Sequence, residues 1–270
     1  MALDFGEPVF SSSRAYDELE DDDTCPSNYI KQNLFLNLKD AEGAKSRLSK
    51  CEALIISYGT LALDFCETLL LSKECIDCGT IKVEKEKSDV EDTGDFRPRK
   101  LKSSSLFLIQ DSVLVCNVSQ DVTADLANMF ADMILGLVSP SCKVMALSSH
   151  HYGQLHGNYN PQEDTCCIIH SLVSPAFKYP PAYSQLPQPA TLDSVPAAIL
   201  TRCIVEKRPC VAYPVFTETY STADLDLVVD SLIKVFNCNP FKSIVSSVDQ
   251  SKLHQYRERN LRKDVLYRYM

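Results

Sequence analysis

Residues 193–216, DSVPAAILTRCIVEKRPCVAYPVF, contain the start, the body and the end of a helix, followed at once by a strand. A polar pair at the start, Asp193 and Ser194, can cap free helix amides, and the proline two positions later suits a first turn. Pro209 then ends the helix. Residues 210–216 form a short apolar run rich in strand-forming types, in which Pro214 favours an edge position or an early end. A helix joined directly to a strand predicts a layered α/β sheet.

The helix in this stretch carries an apolar stripe and a charged end. Ala197, Leu200 and Ile204 recur at helical spacing, which predicts that they face the core. Charged side chains from Arg202 to Arg208 are expected to stay in solvent.

Composition favours one soluble α/β domain. The chain has 270 residues, 45% of them hydrophobic, a formal net charge of −9 and 12 cysteines. A negative charge of this size argues against nucleic-acid binding, whose affinity comes mainly from cations that neutralise phosphates. No leader with a basic region and an apolar core is seen, and no apolar run is long enough to span a membrane, so we expect an intracellular chain. Its cysteines fit buried, reduced thiols better than a disulfide framework.

The order of polar and apolar segments divides the chain into a domain with two tails. Residues 1–47 are predicted to be an acidic, largely disordered N-terminal tail. Residues 48–248 are predicted to be the α/β domain, with residues 82–102 as an exposed, charge-rich loop. Its first strand and helix occupy residues 53–65. Residues 249–270 are predicted to be a flexible C-terminal tail.

Candidate catalytic and metal-binding residues all have a plainer explanation. Cys75 and Cys78 have the spacing of half a zinc site or of a thiol redox pair, but no second pair at matching spacing follows. His150 and Cys167 can be drawn as base and nucleophile, but a polar loop with one buried histidine is the simpler explanation of these residues and the one we expect. The chain has no phosphate-binding glycine loop and no nucleophile elbow. The sequence therefore predicts no catalytic residue, no metal ligand and no cofactor.

The end of the chain is the remaining candidate site. Tyr269 and Met270 close the sequence with an aromatic ring and a free carboxylate. A flexible tail of this kind can insert its ring into a pocket, where the carboxylate pairs with a lysine. An ordinary frayed end explains the same residues.

Three segments resemble proteasome assembly chaperone 1. The most specific is residues 192–228, LDSVPAAILTRCIVEKRPCVAYPVFTETYSTADLDLV, closest over residues 195–213, where that family has an L-P-A-A-x-L segment, a Cys, a K-x-P turn and an apolar strand. Residues 48–65, LSKCEALIISYGTLALDF, are similar to the family's first strand and helix. Residues 103–119, SSSLFLIQDSVLVCNVS, are similar to its hairpin.

The resemblance implies a single three-layer αβα sandwich domain with a mixed sheet and no catalytic activity. It implies a heterodimer with proteasome assembly chaperone 2 that binds 20S proteasome α subunits, promotes α-ring formation and blocks unproductive α-ring dimers, in the cytoplasm and the nucleus. It also implies docking by a C-terminal hydrophobic-Tyr-X ending. Tyr269 and Met270 match its last two places, whereas Arg268 stands where the hydrophobic residue belongs.

One alternative of a different class stays open. The strand and helix at residues 53–65 are similar to the start of a Rossmann-like or nucleoside-phosphorylase-like sheet, which would make the chain a small-molecule enzyme or a ligand-binding protein. The G-x-G-x-x-G that brings a backbone close to a pyrophosphate is missing.

Overall fold

The computed structural model describes residues 32–71, 75–85, 103–155, 167–218, 225–236 and 241–242. The strands are β1 Gln32–Leu38, β2 Ala53–Tyr58, β3 Ile76–Lys85, β4 Ser104–Ile109, β5 Val113–Asn117, β6 Lys143–His151, β7 Ile168–Ile169, β8 Leu172–Val173 and β9 Cys210–Thr217. The helices are α1 Ala41–Leu48, α2 Thr60–Phe65, α3 Ala127–Leu135, α4 Ser194–Val205 and α5 Leu225–Phe236. A π-helical turn, Cys66–Leu70, extends α2, and a 3₁₀ turn, Ala124–Leu126, leads into α3.

The sheet is mixed, with a parallel centre and antiparallel flanks. Its order is β1-β3-β4-β5-β2-β6-β9-β7, and β8 also pairs with β9. Strand β2 is parallel to both β5 and β6, and β6 is parallel to β9. The pairs β1–β3, β3–β4 and β4–β5 are antiparallel, as are the short strands β7 and β8 with β9.

Two apolar cores lie on opposite faces of this sheet. One is covered by α3 and α4, which contribute Phe130 and Ile199, and the other by α2 and α5, whose Phe65 and Phe236 rings stack with centroids 5.6 Å apart. Successive residues of β2 alternate between the two cores because side chains alternate across a strand. The predicted three-layer αβα sandwich with a mixed sheet is therefore confirmed.

The last residues of the predicted N-terminal tail are folded. Residues 32–38 form the edge strand β1 and residues 41–48 form α1, so the tail predicted over residues 1–47 is wrong from Gln32 onward. Leu34 is buried against the core that α3 covers. Residues 34–38, LFLNL, are a short, mostly apolar run in an otherwise polar and acidic segment, so the sequence alone does not indicate a strand there.

The charge-rich segment after residue 82 also begins inside the sheet. Strand β3 continues to Lys85, so residues 82–85 are not part of a loop as predicted. Lys82 and Glu84 are exposed while Ile81 is buried, because one face of β3 is open to solvent at this end of the sheet. Residues 86–102 of the predicted loop and the predicted tail at residues 249–270 lie outside the described residues.

The helix–strand unit at residues 193–216 forms as predicted, with four corrections. Arg208 is buried rather than solvated, and Ile204 is 44% exposed rather than in the core. Asp193 occupies the N-cap position of α4, but its side chain makes no capping hydrogen bond. Pro214 lies inside β9, between partner strands, and does not end it. The sheet tolerates this proline because the outer partner strand is interrupted between β7 and β8, opposite residue 214.

Candidate functional site

The carboxyl ends of the parallel strands β5, β2, β6 and β9 meet at one edge of the sheet, the usual position of ligand sites in α/β folds. We call this the carboxyl edge. Helices α2 and α3, which follow β2 and β5, lie on opposite faces of the sheet, so a crevice of the kind that holds ligands is expected between these two strands. The polar side chains of this edge are therefore the candidates for a catalytic or ligand-binding site.

His150 is the titratable group at the centre of the carboxyl edge. Its Nε2 lies 2.8 Å from Ser148 Oγ and its Nδ1 lies 3.2 Å from Gln154 Oε1. Burial lowers the pKa of His150, and the nearby carboxylate of Asp193 acts in the opposite direction. The ring also lies 5.5 Å, centroid to centroid, from Phe216. The result is a neutral imidazole held on both nitrogens by uncharged partners.

A serine beside a neutral imidazole is the pairing that activates a hydroxyl nucleophile in hydrolases. Here the pairing has no route to a substrate, because Ser148 is fully buried inside β6. Gln154 occupies the position where a carboxylate would orient the ring. The arrangement therefore fixes the end of β6 to the following 3₁₀ turn rather than preparing a reaction.

Other polar side chains of the carboxyl edge tie neighbouring elements together. Ser57 Oγ lies 2.7 Å from Asn117 Oδ1 and joins β2 to β5. Ser194 Oγ lies 3.0 Å from the Tyr58 hydroxyl and joins the start of α4 to the end of β2. These hydroxyl groups are therefore hydrogen-bonded within the protein and not available to a ligand at this edge.

The cysteine pair singled out in the sequence lies at the start of β3. Cys75 is partly exposed just before the strand, and Cys78 is buried at the point where β3 bulges against β4. Burial, followed by the charge of Asp77, raises the pKa of Cys78, which favours the thiol over the reactive thiolate. In the part of the chain that the structure describes, no three His, Cys, Asp or Glu side chains form a group that could hold a metal ion.

The second thiol candidate, Cys167, is partly exposed just before β7. His150, its suggested base, uses Nε2 and Nδ1 for the contacts to Ser148 and Gln154. The predicted docking residues Arg268, Tyr269 and Met270 lie outside the described residues. Their role stays a prediction.

Sequence reasoning missed Arg208, the one charged side chain among the buried residues that the structure describes. Its Nη1 donates to the carbonyl oxygens of Leu135 and Val138, 3.0 and 3.4 Å away, at the end of α3. Its Nε pairs with Glu206 Oε2 at 2.5 Å. The sequence carries no signal for this contact, because the acceptors are backbone groups about 70 residues earlier.

Large apolar side chains on the surface are the feature that could serve protein binding. Exposed fractions range from 41% to 69% for Phe35, Ile76, Met129, Val173, Ile204 and Val205. They are spread over β1, β3, β8 and the helix layer of α3 and α4. Among the described helices, none is both long enough and apolar enough to cross a membrane.

Fold and surface together define an αβα sandwich whose carboxyl-edge hydroxyls are largely engaged by the protein itself and whose exposed apolar groups lie elsewhere. Comparison with known proteins gives the family. Residues 1–268 match the family model PAC1, described as proteasome assembly chaperone 4, and the chain belongs to this family. The resemblance seen in the sequence is thereby confirmed.

Two relatives agree with this family, and one solved structure shares the fold. The chain is 25% identical to proteasome assembly chaperone 1 of Bos taurus over 209 residues, 74% of this chain and 70% of the relative. It is 25% identical to the protein of the same name from Xenopus tropicalis over 238 residues, 83% and 77% of the two chains. The fold is similar to that of PbaB of Pyrococcus furiosus, an archaeal proteasome activator, with a TM-score of 0.52, 7% identity and coverage of 89% and 98%.

Proposed function

We propose that this chain is a non-catalytic chaperone of 20S proteasome assembly. It acts as a heterodimer with proteasome assembly chaperone 2, promotes formation of the α-ring and blocks unproductive dimers of α-rings. The observation that carries this proposal is the match of residues 1–268 to the proteasome assembly chaperone family. The two relatives named proteasome assembly chaperone 1 support the same role.

The geometry of the carboxyl edge supports a binding role over a catalytic one. Ser148 and His150 are buried and bonded to each other, and the Ser57 hydroxyl is bonded to Asn117. Catalysis needs a nucleophile or a base that reaches the substrate, and these groups are turned toward the protein. Surface complementarity with folded partners needs no such group.

The C-terminal tail is proposed to contribute to binding of the α subunits. Tyr269 supplies a ring that can be buried in a pocket between subunits, and the Met270 carboxylate pairs with a lysine of the pocket. Arg268 replaces an apolar residue at the first place of the motif, and burial of its charge without a partner costs free energy. We therefore propose that the tail docks with Arg268 held at the pocket rim.

The proposed partners are proteins only: proteasome assembly chaperone 2 and the 20S α subunits. Nucleic acid is excluded from the proposal because the chain has a formal net charge of −9. We propose the cytoplasm and the nucleus as the places of action, where proteasomes and their precursors are present. No cofactor takes part.

The test is affinity capture of the tagged full-length chain from cells that also express proteasome assembly chaperone 2. We expect recovery of that chaperone in a one-to-one complex, together with free α-rings on native gels. Depletion of the chain is expected to raise the amount of α-ring dimers. Recovery of the chain alone, with a bound metabolite and no α subunit, would contradict the proposal and favour a small-molecule enzyme or ligand-binding protein.

A further inference from the structure

Among the described residues, β1 is an edge strand, and it lacks the devices that protect edges from pairing. Its seven residues, QNLFLNL, contain no charge and no proline. Its pairing with β3 runs without a bulge from Gln32↔Lys85 to Leu38↔Gly79. Natural sheets guard a flat edge with lysines, prolines or bulges, because its free amides and carbonyls are a template for another strand. The edge of β1 is such a template.

The register shows which backbone groups of β1 point away from the sheet. Lys39 N donates to Cys78 O at 2.9 Å, so residue 39 belongs to a hydrogen-bonded pair with β3. Hydrogen-bonded and non-hydrogen-bonded pairs alternate along an antiparallel ladder. Residues 33, 35 and 37 therefore bond to β3, while the N–H and C=O groups of residues 32, 34, 36 and 38 face outward.

The sequence of β1 is symmetric about Phe35. Asn33-Leu34-Phe35-Leu36-Asn37 reads the same in both directions. When two copies pair antiparallel around a two-fold axis at Phe35, each side chain meets its own kind: Phe opposite Phe, Leu34 opposite Leu36, and Asn33 opposite Asn37. The outward groups of residues 34 and 36 then face each other in hydrogen-bonding positions, as such a pairing requires.

Burial along β1 gives this pairing a driving force. Phe35 is 47% exposed on the face of the sheet away from α3, beside its cross-strand neighbour Lys82. Leu34 and Leu36 lie on the opposite face, Leu34 buried and Leu36 partly exposed. A second β1 would cover the Phe35 ring and the open side of Leu36, removing apolar surface from water.

We propose that β1 is a self-association edge and that its occupant is β1 of a second copy of this chain. The two strands pair antiparallel with Phe35 opposite Phe35, which joins the two sheets into one continuous sheet. A two-fold interface of this kind brings the same residues together from both copies. This inference does not depend on the heterodimer proposed above.

The register at Phe35 is favoured over its neighbours. An axis at Leu34 or at Leu36 would place Phe35 opposite Asn33 or Asn37, and would lose the contact between the two rings. It would also leave an asparagine amide opposite a phenyl ring instead of a second amide. The symmetric sequence therefore favours a single register, because in a strand pair the pattern of side chains sets the register.

The experiment measures the mass of the purified full-length chain across a concentration series by sedimentation velocity. We expect the wild type to approach the dimer mass with rising concentration. Phe35→Lys and Phe35→Glu are expected to weaken association at least tenfold, because like charges then lie opposite each other at the axis. An equal mixture of the two variants is expected to recover dimers, since Lys then meets Glu.

The matched control is Met129→Lys on α3, which changes a side chain of nearly equal exposure, 46%, that belongs to the helix layer and not to the edge strand. It is expected to dimerise like the wild type, and circular dichroism checks that all variants are folded. In a second measurement, Phe35→Cys is expected to crosslink under mild oxidation, because facing non-hydrogen-bonded residues lie about 4.5 Å apart at Cα. Met129→Cys is not expected to crosslink beyond the wild-type background.

Three outcomes would overturn the inference. These are a wild-type chain that stays monomeric at every concentration, dimers that Phe35→Lys leaves intact, and a mixture of the charge variants that stays monomeric. If the wild type is monomeric and Phe35→Lys instead prevents capture of proteasome assembly chaperone 2, the edge serves the heterodimer. In that case the second copy is the wrong occupant, while the proposed function stands.

Discussion

Arg208 Nη1 donates a hydrogen bond to the carbonyl oxygen of Leu135 at 3.0 Å, and through it the turn before β9 holds the end of α3. Leu135 is the last residue of α3, where helix carbonyls have no partner within the helix. A buried guanidinium that also reaches Val138 O satisfies these groups and joins α3 to the α4–β9 unit.

Arg208→Met is expected to lower the free energy of unfolding by about 2–3 kcal/mol, because it keeps the apolar stem but leaves buried carbonyls without a donor. Urea denaturation followed by circular dichroism measures this loss. The matched control is Arg202→Met, which removes exposed ion pairs with Asp132 and Glu206 and is expected to cost at most about 1 kcal/mol. Equal losses in the two variants would contradict the role assigned to Arg208.

Gly59→Ala is expected to destabilise the domain by about 2–4 kcal/mol. Gly59 has φ 85°, and a Cβ there would lie 2.3 Å from Ser149 Oγ and 2.9 Å from its carbonyl oxygen. The comparison is Gly136→Ala at the end of α3, where φ is −67° and the nearest atom, Asp132 O, lies 3.1 Å from the added Cβ. Thermal unfolding should show the larger loss for Gly59, and the reverse order would refute the argument.

Ser149→Ala is expected to leave stability unchanged or to raise it by up to about 1 kcal/mol. Ser149 Oγ is buried and has no hydrogen-bond partner in the structure, so its removal relieves a desolvation cost. Ser57→Ala is the contrasting variant, since Ser57 Oγ bonds to Asn117 Oδ1 at 2.7 Å, and is expected to cost about 1 kcal/mol. Urea denaturation measures both effects, because a shift of the denaturation midpoint with an unchanged m-value reports a change in the free energy of unfolding.

Stability is expected to fall as the pH drops below about 6.5, the pKa of an unfolded histidine. Burial lowers the pKa of His150 and of His170, so below pH 6.5 the unfolded chain binds more protons than the folded one. The contribution is fully present above pH 6.5 and is lost on the way down to the folded pKa values. His150→Gln should flatten the dependence of the unfolding free energy on pH between 8 and 5.5. If the unfolding free energy of His150→Gln depends on pH as steeply as that of the wild type, His150 is not the source of the pH dependence.

Arg268→Leu is expected to strengthen capture of α-rings several-fold, because it restores an apolar residue at the first place of the ending. Deletion of Tyr269 and Met270 is expected to weaken capture while binding to proteasome assembly chaperone 2 persists. Quantitative pulldown of α subunits under matched salt measures both effects. If neither variant changes capture, the tail has no part in docking, and the proposed chaperone function rests on the domain alone.

The parts of the fold that are buried on both faces could be predicted from sequence. Strand β2 and the α4–β9 unit are continuous apolar runs with clear turn signals, and they form as predicted. Strand β1 was not predicted because its apolar run is short and stands in an otherwise polar and acidic segment. Strand β3 was not predicted because one face of its end is open to solvent, so charged residues such as Lys82 and Glu84 alternate with buried ones. A one-sided strand of this composition reads as a loop until its partner is known.

The contacts of the candidate site could not be predicted in the same way. The link from Arg208 to Leu135 joins positions 73 residues apart, and its acceptor is a backbone group that any residue would supply. The Ser148–His150 contact is local, but its burial depends on Phe216, a residue of a different strand.

The central position of β2 affects how the chain can fold while it is being synthesised. This strand is made early, yet its two neighbours are β5 and β6, and β6 begins only at Lys143. A ribosome adds about 5–20 residues per second, so the roughly 85 residues between the two strands take about 4–17 s to synthesise. During that interval the apolar strand β2 has no β6 to pair with. We therefore expect chaperones that bind exposed apolar segments to bind this chain while it is being translated.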